Sequence, residues 1–157
     1  MPYIIDGNNV IGHAPDLDLG DPRSRAGLVA RLLAFQRATR KRIMLVFDGP
    51  AGDAEVVSVN AKFTIHTPAS GRTADDVIVD LLARLTDRRN VVVVSTDREV
   101  RDAARARGVR TISSPEFGRE LRREARAGRR ERELDKRIAA PTPLETRLWD
   151  EVFRRRT

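Results

Sequence analysis

Three short stretches of the chain are almost purely aliphatic, and each runs into an aspartate. Tyr3-Ile4-Ile5 ends in Asp6, and Ile43-Met44-Leu45-Val46-Phe47 ends in Asp48. Val91-Val92-Val93-Val94 ends, after Ser95-Thr96, in Asp97. Near-continuous runs of this length predict strands covered on both faces, the pattern of a parallel sheet. A weaker run from Lys62 to Thr67 and a short one from Val109 to Ile112 predict two further strands. Helical periodicity fills the intervals. Residues 22–41 open with Asp21-Pro22, a cap followed by a proline in the first turn, and carry Leu28, Val29, Leu32 and Leu33 on one face. Residues 74–86 place Val77, Ile78, Leu81, Leu82 and Leu85 on one stripe, and residues 98–107 form a third candidate closed by Gly108. Strands alternating with helices predict right-handed βαβ crossovers and an α/β fold with helices on both faces of the sheet.

Beyond Pro115 the pattern changes. Residues 116–137 are dense in Arg and Glu with few apolar positions (Phe117, Leu121, Leu134), which predicts an exposed helix or pair of helices. Ala139-Ala140-Pro141-Thr142-Pro143 reads as a turn or linker. Residues 144–156 then predict an amphipathic helix, with Leu144, Leu148, Trp149, Val152 and Phe153, docked back on the domain. The expected division is residues 1–114 as an α/β domain and residues 115–157 as an Arg-rich helical extension packed on it.

Composition narrows the setting. A length of 157 residues with 40% hydrophobic residues is enough for one domain with a sizeable core. Cysteine is absent, which excludes disulfides and thiolate metal sites and fits a reducing compartment. Met1-Pro2 leads directly into Tyr3-Ile4-Ile5-Asp6, without a basic start or a long apolar stretch, so no signal peptide is expected. No run approaches the roughly 20 apolar residues of a membrane span. The expectation is a soluble, cytoplasmic protein. A formal net charge of +7 favours polyanionic partners, nucleic acid first. Nearly all the basic residues are arginines, Lys41, Lys62 and Lys136 being the exceptions. An arginine-rich proteome gives the same numbers, so charge alone leaves both readings open.

The strand-end aspartates change the picture more. Ligands of open parallel sheets bind outside the carboxyl ends of the strands. Asp6, Asp48 and Asp97 stand at three such ends and therefore share one edge. A single strand-end Asp caps a helix or starts a loop; three of three long runs ending so is a stronger signal. Converging carboxylates repel unless a cation sits among them, and hard oxygen donors select Mg²⁺ or Mn²⁺. A fourth acid comes from Thr73-Ala74-Asp75-Asp76, which also has the form of a capping box. At about 100° per residue, Asp76 lies nearly opposite the apolar stripe of 77–85, whereas Asp75 lies near its margin. Asp75 is accordingly the candidate metal-site acid, Asp76 a cap or outer supporting group, and Asp80 a solvated surface residue. Gly7 permits a tight turn after Asp6, and Asn8-Asn9 place amides beside the carboxylates. Ser95 and Thr96 are placed to bond Asp97 or a metal-bound water, or simply to start the turn.

Ile5-Asp6-Gly7-Asn8-Asn9-Val10-Ile11, Val46-Phe47-Asp48, Thr73-Ala74-Asp75-Asp76 and Ser95-Thr96-Asp97-Arg98, in that order and spacing, resemble the YacP-like NYN-domain family of the PIN-like nucleases. The similarity spans nearly the whole chain. It implies a PIN-like three-layer α/β sandwich with a central, mostly parallel sheet and a helical C-terminal extension. It also implies a Mg²⁺- or Mn²⁺-dependent endoribonuclease and, as in some relatives, action on mRNA in association with ribosomes. The implied metal-site residues are Asp6, Asn9, Asp75 and Asp97, with Asp48 in support. The family often has an aromatic where Asn8 stands, so a stacking or packing role for that ring does not carry over.

The expected mechanism is hydrolysis by one or two metal ions held by Asp6, Asp75 and Asp97, leaving a 5′-phosphate and a 3′-hydroxyl. Asp76 and Thr96 are expected in support, and Asn9 among the catalytic residues. His13 and His66 are isolated and are given no role. For RNA the candidates are Arg119, Arg122, Arg123, Arg126, Arg129, Arg130, Arg132, Arg137 and Arg154-Arg155-Arg156. Interleaved Glu and Asp residues offer the plainer alternative of a helix laced with i,i+4 ion pairs. Trp149 and Phe153 have the spacing of core packing more than of base stacking.

Two other aspartate chemistries fit poorly. A haloacid-dehalogenase phosphatase needs a second acid two residues after Asp6, where Asn8 stands. A receiver domain needs a lysine after a late strand, and none lies between Lys62 and Lys136. The alternative from another class is a non-catalytic RNA- or ribosome-binding module that retains the acidic site.

Overall fold

The computed structural model describes residues 2–49, 52–139 and Arg147. The helix expected over residues 144–156 and the turn after Ala139, with Trp149, Phe153 and Arg154-Arg155-Arg156, lie outside the described residues. Element order is β1 (Tyr3–Asp6), α1 (Gly7–Gly12), α2 (Arg23–Thr39), β2 (Ile43–Val46), β3 (Glu55–Asn60), β4 (Phe63–Thr67), α3 (Ala74–Arg84), β5 (Val92–Val94), α4 (Arg98–Ala106), β6 (Arg110–Ile112) and α5 (Ser114–Ala139). Six strands form one sheet in the order β3-β4-β2-β1-β5-β6. All neighbours are parallel except β3, which runs antiparallel to β4.

Strand β1 shows why the aliphatic runs became central. Tyr3 pairs with both Ile43 and Val92, and Ile5 with both Leu45 and Val94, so β1 is hydrogen-bonded on each side. Its side chains alternate between faces. Tyr3 and Ile5 join Val10, Ile11, Leu28, Leu32, Phe35 and Phe117 in one core. Ile4 joins Val46, Ile78, Leu82, Val93, Val100 and Ala104 in the other. Helices α1, α2 and the start of α5 thus cover one face and α3 and α4 the opposite one, a three-layer α/β arrangement.

Two elements were not expected. Strand β3 carries Val56, Val57 and Val59 on an exposed edge, so no buried face imprints a period on its sequence. Its antiparallel partner β4 and a bulge between Ser58 and Asn60 define it. Helix α1 replaces the tight turn expected at Gly7. It spans six residues, too few for a readable period, and Asp6 is its N-cap. Glycine is needed at position 7 for space: a Cβ there would stand 2.5 Å from the Phe47 ring and 3.0 Å from the Val46 carbonyl oxygen.

The acid- and Arg-rich stretch forms one helix, α5, and it starts at Ser114, earlier than expected. Its first turns are not solvated. Phe117 is fully buried and packs against Tyr3 and Phe35 with ring centroids 5.5 and 5.6 Å away. The Tyr3 hydroxyl donates to Glu120 Oε1 at 3.0 Å, and Lys41 Nζ lies 3.9 Å from the same carboxylate. The chain divides into two compact units, residues 1–124 and 125–157. In the second, Leu134 and Ile138 are exposed.

Gly7→Ala should cost about 2 kcal/mol, because neither the buried Phe47 ring nor the Val46 backbone has room to retreat. In thermal unfolding this is a Tm lower by about 4–8 °C. An unchanged Tm would mean the contact is looser than the geometry states.

Candidate active site at the carboxyl edge of the sheet

Asp6 closes β1, and its carboxylate is almost fully buried. Oδ2 accepts a 3.0 Å hydrogen bond from Ser95 Oγ, and Oδ1 accepts the Asn9 N–H at 3.5 Å. Asp48 follows β2; its Oδ1 accepts the Ala74 N–H at 3.0 Å, one of the open donors at the start of α3. Asp97 caps α4 through the Glu99 N–H at 2.9 Å, and its own N–H donates to Ser95 Oγ at 3.0 Å. Ser95 therefore ties two strand-end aspartates together.

Asp75 and Asp76 separate by role. Asp76 closes a capping box: its carboxylate accepts the Thr73 N–H at 2.9 Å while Thr73 Oγ1 accepts the Asp76 N–H at 3.2 Å. Asp75 faces the other acids. Burial first, then the charges of Asp97, Asp6, Asp48 and Glu99, push its carboxyl up to about 6. Asp6 is raised too, by burial above all, with Asp48 and Asp97 adding to it and the Ser95 and Asn9 bonds opposing it. The four acids are thus within electrostatic reach of one another at one sheet edge.

Asn9 is the hub of the surrounding scaffold. Its Nδ2 lies 2.8 Å from Thr96 Oγ1, and its Oδ1 accepts the Thr96 N–H at 3.0 Å and the Ser114 hydroxyl. The amide holds the Asp97 turn and the start of α5 against α1. Asn8 Oδ1 accepts the Asp48 N–H at 3.1 Å. Asp80 is ion-paired with Arg72 at 2.7 Å, at the surface. His13 bonds the Asn9 carbonyl at 2.9 Å, and burial lowers the pKa of His66 beside Thr64.

Sequence patterns did not single out Ser114, Glu99 or Arg25. Ser114 looks like an ordinary cap before Pro115, and Glu99 like a first-turn acid. Arg25 lies on α2, away from every aspartate motif, yet donates to the Asp48 carbonyl at 2.7 Å. Arg119, Arg122, Arg123, Arg126, Arg129 and Arg130 are all exposed, and no ion pair among the described residues involves them. The plainer alternative, a lattice of i,i+4 pairs along α5, is therefore not seen among the described residues. Within the first unit α5 runs away from the carboxylates, from Ser114 beside Asn9 to Glu120 beside Tyr3 at the opposite end of β1.

Among the described residues, no three acidic or imidazole side chains form a ready metal cage. Asp6, Asp48 and Asp97 each direct an oxygen onto a backbone N–H. The donor set nevertheless suits a hard divalent cation: all oxygen, with Asp75 raised by burial and then by its neighbours' negative charge.

The profile of the YacP-like NYN domain matches residues 3–156. The chain belongs to this family. A crystal structure of Rae1 (YacP) from Bacillus subtilis is similar at 26% identity and a TM-score of 0.72, covering 98% of this chain and 91% of that one. Its W164L mutant gives 26% and 0.72, covering 88% and 86%. No curated protein matches. As a member of a PIN-like nuclease family, this YacP-like NYN domain is of the hydrolase, nuclease type, and divalent metals are general in that class. No helix among the described residues is long and apolar enough to cross a membrane.

A carboxyl titrating near 6, against 3.8 ordinarily, binds its proton more tightly in the native state. Asp75 then costs nothing below about pH 4, costs more as pH rises to 6, and levels off above. The shift corresponds to at most about 3 kcal/mol, which solvent screening of a half-open carboxylate reduces to about 1 kcal/mol. Metal-free Asp75→Asn should therefore melt about 2–4 °C above wild type at pH 7.5 and no higher at pH 4. Equal melting at pH 7.5 would show that Asp75 does not feel its neighbours.

Proposed function

We propose that this protein is a divalent-metal-dependent endoribonuclease that hydrolyses RNA phosphodiester bonds at the carboxyl edge of its sheet. The observation that carries this reading is the gathering of Asp6, Asp48, Asp75 and Asp97 from three strand ends and one helix start, where burial first and the neighbouring carboxylates second push Asp75 up to about 6. Asp6, Asp75 and Asp97 would hold Mg²⁺ or Mn²⁺, with Asp48 beside them. Once bound, the ion supplies an activated water and neutralises charge developing on the scissile phosphate.

The chain's own residues prepare that edge. Ser95 and the Asn9 N–H fix the Asp6 carboxylate, and the Asn9 amide, through Thr96 and Ser114, holds the turn carrying Asp97. Asp76 supports Asp75 by capping α3. Exposed Arg119, Arg122, Arg123, Arg126, Arg129 and Arg130 add the positive field that draws in RNA. Products would carry a 5′-phosphate and a 3′-hydroxyl. The family resemblance extends the proposal to cytoplasmic mRNA met on the ribosome.

The lack of a ready metal cage among the described residues favours a second reading, an RNA- or ribosome-binding module without turnover. Labelled single-stranded RNA incubated with Mg²⁺ or Mn²⁺, with and without translating ribosomes, separates the two. The expected outcome is cleavage that EDTA abolishes and Asp75→Asn lowers by on the order of 100-fold or more. Mg²⁺ should also raise the Tm of the wild type and not of Asp75→Asn. Tight RNA binding without cleavage in either set would favour the binding module; equal cleavage by Asp75→Asn would remove the site.

A further inference from the structure

The arginines of the described residues fall into distinct classes. Arg23 pairs with Asp21, Arg31 with Asp16, Arg72 with Asp80 and Arg98 with Asp102. Arg25 has no carboxylate within ion-pair distance among the described residues, yet its side chain is fixed. Nη2 donates to the Asp48 main-chain oxygen at 2.7 Å, and the guanidinium carbon lies 4.8 Å from the centroid of the Phe47 ring. That ring is itself buried and wedged against Gly7. Ordering a long cationic side chain opposes its rotamer entropy, and both groups that hold this one are neutral. No carboxylate among the described residues pairs with its charge directly, although the side chain stands next to Asp48.

We infer that Arg25 is a phosphate clamp for the substrate strand, gripping an RNA backbone phosphate at the edge where Asp48 emerges. This rests on the ribonuclease reading. A guanidinium has five N–H donors in a planar fork, and only one is engaged among the described residues, leaving paired donors for a phosphate. The aromatic stack fixes the plane of that fork, which a lysine would not reproduce. Single-stranded RNA must bring its negative backbone up to an acidic cluster, and a fixed cation there offsets the repulsion. Location favours Arg25 over the α5 arginines: α2 holds it at the carboxyl edge, while α5 carries Arg119, Arg122 and Arg123 toward the other end of β1.

The test reads RNA binding without turnover. In the full chain carrying Asp75→Asn, affinity for a labelled single-stranded RNA is measured by fluorescence anisotropy from 50 to 200 mM salt. Adding Arg25→Ala should weaken binding about tenfold at the low-salt end and lower the slope of log affinity against log salt by about 0.7, one phosphate contact on a single strand. Arg25→Lys should recover the slope and only part of the affinity. Arg31→Ala, removing a paired arginine of the same helix, should change neither. Unchanged affinity and slope in Arg25→Ala would overturn the clamp. So would weaker binding at an unchanged slope, which assigns Arg25 to holding Asp48, or an equal effect of Arg31→Ala. If the wild type cleaves RNA while Arg25→Ala binds normally, the clamp alone fails. Binding that depends on Arg25 when the wild type cuts RNA with neither Mg²⁺ nor Mn²⁺ keeps the clamp and removes the nuclease; a parent that binds no RNA removes both.

Discussion

A parallel sheet brings the carboxyl ends of its strands to one edge, and every other feature of the site follows from that constraint. Asp6, Asp48 and Asp97 are far apart in sequence, but β2, β1 and β5 are consecutive neighbours in the sheet. Their terminal carboxylates cannot avoid one another, and the helix that follows β4 adds Asp75. Burial and, behind it, the resulting repulsion are a standing cost to the native state, concentrated on Asp75 and Asp6. Such a cluster is retained where function needs a concentrated negative potential.

What keeps the cluster in place is a small set of neutral hydrogen bonds. Ser95 bridges Asp6 and Asp97, and Asn8 and Ala74 hold Asp48 from two helices. Asn9 links α1 to the β5–α4 turn and to the first residue of α5. Neutral donors can order carboxylates without cancelling their charge, whereas an arginine or lysine in the same places would neutralise the site. Among the described residues no ion pair joins a cation to Asp6, Asp48, Asp75 or Asp97: Arg23, Arg31, Arg72 and Arg98 pair with other acids, and Lys41 lies at the far end of β1. Arg25 touches the site through a carbonyl, not a carboxylate.

Helix α5 joins two jobs in one element. Its start is bonded to the carboxyl edge of the sheet through Ser114, and about 9 Å further along Glu120 meets Tyr3 at the start of β1, a strand of similar length. Phe117 between them is buried with Tyr3 and Phe35. The helix therefore spans the height of the sheet and braces both ends of the central strand.

Much of the layout was legible in the chain itself. The aliphatic runs marked β1, β2 and β5 because a strand buried on both faces must be apolar at every position, and the stripe of 77–85 marked α3 because one helical face must be apolar. The terminal aspartates, and the distinction between Asp75 and the capping Asp76, followed from the same periodicities. Short α1 and exposed β3 escaped because neither buries a face long enough to impose a period. Only the tertiary structure decided that Gly7 is required by the Phe47 ring, that Asn9 meets Thr96 and Ser114, and that Arg25 stands beside Asp48. Those are contacts between residues distant in sequence, set by how layers pack, and no local pattern records them.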